Sequence, residues 1–96
     1  MGIGIVRKGD MGDGADGFTP RANIEGSPNV FVNGLEVHRI GDAWPLHCKP
    51  KAGCHTSVLA EGSNTVFANG KGVGRIGDAQ SCGAHAIQGS SNVFSG

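Results

Sequence analysis

The chain repeats itself, and the repeat does not begin where the chain begins. Residues 26–43 read GSPNVFVNGLEVHRIGDA and residues 62–79 read GSNTVFANGKGVGRIGDA, identical at 12 of 18 aligned positions. Residues 89–96 read GSSNVFSG, the first half of the same unit. Residues 7–10 read RKGD, matching the RIGD of its second half. Two whole units thus stand between two complementary halves. Such a split closes if the first and last strands meet in space and complete a third unit. Residues 3–8 are then expected to pair near residues 92–94, and the chain becomes a ring with pseudo-threefold symmetry.

Each unit reads as a β-hairpin. Asn33-Gly34 and Asn69-Gly70 sit between Val- and Phe-containing runs, and both residues of an Asn-Gly pair can take the positive φ that a tight hairpin turn needs. Gly or Pro interrupts nearly every window in which a helix could be sought. The fold class is therefore all-β: one small domain over residues 1–96, built of three hairpin repeats, one of them split between the termini. Phe31, Phe67 and Phe94 recur with the unit and read as its core aromatics. Asp42 and Asp78 recur too and read as turn caps. His38 falls at a position where the next unit has Gly74, so it is expected to be an exposed histidine without a role.

A ring of this size has little apolar mass to hold it. There are 18 glycines, four phenylalanines, one tryptophan and no tyrosine in 96 residues, and small glycine-rich chains generally need a staple or a partner. Charge balances to zero, and the basic residues gather no further than short pairs such as Lys49 with Lys51, which argues against nucleic acid as a partner. The N-terminal stretch lacks the apolar core of a signal peptide, so synthesis in the cytoplasm is expected. Three cysteines cannot all pair, which in a reducing compartment favours metal ligation or free thiols over a disulfide framework.

Every cysteine and three of the four histidines lie in the stretches that follow the Gly-Asp pairs: His47, Cys48, Cys54 and His55 in one, Cys82 and His85 in another. Equivalent loops of a pseudo-threefold ring leave from one end and can meet on the axis. Soft and borderline donors gathered there suit a tetrahedral zinc, with iron the second choice. A catalytic Cys–His pair is a poorer reading, because no orienting Asn or Asp is evident, and the chain is not expected to be an enzyme. Asp10, Asp13 and Asp16 lack the closing glutamate of a calcium loop.

The runs GSPNVFVNG, VHRIGDAWPLHC, GSNTVFANG, VGRIGDAQSCG and GSSNVFSG resemble the PAAR-repeat proteins over essentially the whole chain. The form is similar to the short, single-domain version on contractile phage tails, with relatives on type VI secretion spikes. That resemblance implies a conical β domain whose loops converge on a metal-bound apex. Its base would cap a trimeric β-helical spike, one chain per trimer, and the tip would touch the target cell membrane mechanically. It would be assembled on a phage tail spike in the virion or on a secretion spike. It also implies zinc held by three histidines and a cysteine, which carries over to His47, His55 and Cys82. The remaining histidine of the family pattern falls at Ala15 in the stretch GDMGDGADGFTPR. His85, three residues after Cys82, is the expected substitute, with Asp16 or Cys54 as alternatives. No toxin-like extension is expected beyond the repeats. The rival reading is a free-standing zinc-binding β module that recognises a soluble partner.

Overall fold

Each Asn-Gly pair turns a hairpin. Asn33 and Asn69 both have φ of 55°, followed by Gly34 at 76° and Gly70 at 77°, the doubly positive pattern of a turn that matches strand twist. A computed structural model describes residues 2–13, 20–49 and 53–96, excluding the side chains of 47–49. Around the turns, β4 (Phe31–Val32) pairs with β5 (Leu35–Glu36), and β8 (Phe67–Ala68) pairs with β9 (Lys71–Gly72). The third hairpin is assembled from the two ends of the chain. β1 (Ile3–Gly4) runs antiparallel to β10 (Phe94–Ser95), with Ile3 opposite Ser95 and Gly4 opposite Phe94. The split repeat closes as expected.

The ring is held by interactions that recur three times. At its centre the N–H of Val6 donates to the carbonyl of Gly74 at 2.8 Å. Gly74 donates to His38 at 2.8 Å, and His38 donates back to Val6 at 3.0 Å. These three residues are repeat-equivalent, so their backbones form a closed cycle. Above the cycle, Ile5, Val37 and Val73 pack with Val32 and Ala68 into one core cluster. The hydroxyls of Ser27, Ser63 and Ser90, all buried, accept backbone N–H groups two and three residues on. They satisfy the start of each hairpin locally. Glu25, Glu61 and Gln88 each accept the first N–H after a Gly-Asp pair, from Ala43, Ala79 and Met11.

Asp42 and Asp78 cap turns as expected, and the ion pairs of the repeat go further. Asp10, Asp42 and Asp78 each accept both the backbone N–H and the guanidinium of the arginine three residues before. The carboxylate hydrogen bond raises the pKa of Arg7, Arg39 and Arg75, against the desolvation that opposes it. Each guanidinium then reaches into a neighbouring unit. Arg7 donates to the Asn33 side chain, Arg39 to that of Asn69, and Arg75 to the Gly96 carbonyl. The turn asparagine is therefore also the latch between units.

Three expectations are corrected. His38 is fully buried, not exposed, because its position lies on the central cycle. Phe31, Phe67 and Phe94 are 56%, 58% and 53% exposed rather than core. Strand alternation sends Val32, Ala68 and Ser95 inward and the aromatic rings outward. The cysteines do not all remain ligands or free thiols, because Cys54 is disulfide-bonded.

Candidate functional site: a metal-ligand ribbon and an aromatic face

The stretch after Asp42, expected to be a loop, is the longest regular element. β6 (Ala43–Lys49) and β7 (Gly53–Val58) form an antiparallel ribbon whose register shifts between Trp44 and His47. Pro45 lies at that irregularity and has no N–H to give a ladder. Beyond it, position 47 is opposite His55, and position 48 is opposite Cys54. Successive positions of a strand alternate faces, so the 47/55 pair and the 48/54 pair occupy opposite faces of the ribbon. Cys54 is committed to a disulfide. His55 is part-buried on the other face.

The stretch after Asp78 is shorter. Ala79 bridges His85, and the turn closes through Gln80 N–H donating to Ala84 at 2.7 Å. Cys82, at its tip, is a part-exposed free thiol with Sγ 3.9 Å from Gln80 Oε1. His85 is turned toward the first loop. Its backbone N–H donates to Asp13 Oδ1 at 3.0 Å, and its Nδ1 lies 3.8 Å from Asp13 Oδ2. Sequence reading had set Asp13 aside with the calcium-like stretch, and its sequence distance from His85 hid the contact. Asp16 and Ala15 lie outside the described residues. Among the described residues no three His, Cys, Asp or Glu side chains converge as a metal site; the His47 side chain is not among them. The donor chemistry nevertheless fits zinc. Histidines at opposed ladder positions, a free thiol, and a histidine whose ring lies 3.8 Å from a carboxylate are residue types such an ion takes.

The ribbon is anchored by Trp44, which is buried with Val6 and Ala86. Trp44 is repeat-equivalent to Gly12 and Gln80, and the three meet. A Cβ on Gly12 would stand 2.6 Å from Trp44 Cζ3 and would also strike the Gln80 amide. Gln80 accepts from the buried Ser57 hydroxyl at 2.6 Å. One glycine, one indole and one amide thus fill a layer that three identical side chains could not fill.

On the hairpin side lies the aromatic face. Phe31, Phe67 and Phe94 occupy equivalent positions, each more than half exposed. Single exposed apolar residues are ordinary, whereas these three recur at the same position of each unit.

The described residues form a cyclic, three-unit β-protein with histidine- and cysteine-bearing stretches after the Gly-Asp pairs and three exposed phenylalanines at equivalent positions. The PAAR motif family model matches residues 19–88, and the chain belongs to that family. Members are structural spike-tip proteins of contractile injection systems rather than enzymes, which makes a tail or secretion spike the setting of this chain. No curated protein matches it. No helix is long and apolar enough to cross a membrane among the described residues.

Proposed function

We propose that this protein caps the blunt end of a trimeric β-helical spike, one chain per trimer, and sharpens it for piercing a membrane. The setting is a phage tail or a type VI secretion machine. The observation that supports this reading is the exposure of Phe31, Phe67 and Phe94 at equivalent positions of a pseudo-threefold ring. One chain can then offer a true threefold partner three similar contacts. Burying the exposed half of three phenylalanines contributes about 3–4 kcal/mol, or two to three orders of magnitude in affinity.

The opposite end carries the ligand residues. His47, His55, Cys82 and His85 would hold one zinc, with Asp13 facing His85 Nδ1 and leaving Nε2 for the ion. Bound zinc supplies a rigid tie between ribbon and loop, and metal-binding free energy appears as folding stability. Sheath contraction drives the spike forward, and a tip that does not fray transmits the force.

Co-purification with a trimeric β-helical spike protein tests the docking. A 1:3 complex is expected, and replacing all three phenylalanines with serine is expected to abolish it while the free protein stays folded. Three tips per trimer, or parental binding by the triple variant, would overturn the reading.

A further inference from the structure

We propose that His38 makes the axial packing acid-labile: the ring is closed around a neutral imidazole and must open to accept a proton on it. His38 is 0% exposed. Its Nδ1 lies 2.7 Å from the carbonyl oxygen of Glu25. A carbonyl can only accept, so Nδ1 carries the hydrogen and Nε2 is the bare nitrogen. Among the described residues Nε2 has no hydrogen-bond partner, and neither does the buried Nε1 of Trp44. The two rings meet edge to face at 5.1 Å and 76°. A proton added at Nε2 would thus create a buried N–H with no acceptor, together with a charge on the molecular axis.

The surroundings do not offset that cost. The backbone cycle joins His38 to Val6 and Gly74, and the indole of Trp44 covers its ring; none of these carries a charge. The charged groups facing the imidazole are the carboxylates of Glu25 and Asp42, which favour protonation, and the guanidinium of Arg39, which opposes it. Asp42 is already held by Arg39 through two side-chain hydrogen bonds, and Glu25 Oε1 is held by the Ala43 N–H. Desolvation is the largest influence and lowers the His38 pKa below its ordinary value of 6.5. A depressed folded-state pKa leaves stability intact above the unfolded-state value and removes it as pH falls from there toward the folded one. Across that window the unfolded chain takes up a proton that the folded chain refuses, and the folding constant drops roughly tenfold per pH unit.

The test compares equilibrium unfolding of the parent and His38→Asn between pH 7.5 and pH 5. Asparagine keeps a donor for the Glu25 carbonyl and does not titrate. Contributions from the other histidines, including any metal they release, are common to both proteins. The parent is expected to lose more of its folding constant than the variant as pH falls from 6.5 to 5.5, by up to about fivefold. Parallel pH curves would overturn the proposal. Imidazole NMR of the parent supplies a readout that needs no variant. The His38 ring is expected to stay in the neutral Nδ1–H form to lower pH than an ordinary histidine while the protein is folded, and an ordinary titration near 6.5 in the folded protein would equally overturn it.

Discussion

The carbonyl of Gly74 receives the N–H of Val6 at 2.8 Å although 68 residues separate them, and with the Ile76 N–H donating to the Gly4 carbonyl it joins the N-terminal segment to the last complete repeat. The same pair shows how tightly the axis is packed. A Cβ added at Gly74 would stand 2.8 Å from Leu59 Cδ2 and 3.3 Å from Val6 Cβ.

Gly74→Ala is therefore expected to destabilise the protein by about 1–3 kcal/mol through overpacking. Leu59→Ala alone costs about 2–5 kcal/mol by leaving a cavity. The double variant is expected to be more stable than the sum of the two losses predicts, since each relieves the other. Strict additivity in chemical denaturation would show that Leu59 is not the clashing group.

Arg39 and Asp42 form the most buried of the three repeated ion pairs, with side chains 8% and 1% exposed. Arg39→Ala leaves Asp42 charged, buried and unpaired, so a loss of about 3–5 kcal/mol is expected. The equivalent change at Arg75, which is more exposed, is expected to cost less. Denaturation of both variants at low and high salt separates them, because the Arg39 effect resists screening.

Removing residues 89–96 takes away β10, the Ser90 cap and the Asn92 partner of Asn33. Ile3 and Gly4 then lose the strand they pair with. The truncated chain is expected to unfold or to aggregate through the open edge, as read by size-exclusion chromatography and circular dichroism. A folded monomer would contradict ring closure as the basis of stability.

Zinc content checks the apex. One ion per chain is expected by elemental analysis, with His85→Ala losing it. Asp13→Asn is expected to weaken zinc affinity by about 10–100-fold, because the carboxylate beside the ring of the proposed ligand His85 is removed. Parental zinc retention by His85→Ala would exclude it as a ligand, and a metal-free protein would remove the staple altogether.

Much of the molecule was legible in the sequence because its rules are local. An Asn-Gly pair adopts positive φ from its own chemistry, and an aspartate after a glycine caps its own turn. Repetition of these devices at residues 27–42 and 63–78, with matching fragments at both ends, was enough to determine three hairpins and a cyclic closure. The ligand candidates were legible as residue types, but their grouping was not. Whether position 47 opposes 55 depends on where Pro45 shifts the ribbon, and whether His85 has a carboxylate beside it depends on a loop 72 residues away.

The inward and outward faces were decided by the tertiary structure. Val32, Ala68 and Ser95 are too unlike to announce a buried side, so the large aromatic residues looked like the core until the ring showed which side faces the axis. His38 was misread for the same reason. Its counterparts Val6 and Gly74 differ from it because all three compete for one axial volume, as do Gly12, Trp44 and Gln80. At the periphery the three units meet the same surroundings, and their sequences agree. On the axis they exclude one another, and only their assembled geometry shows which residue fills the space and which leaves it.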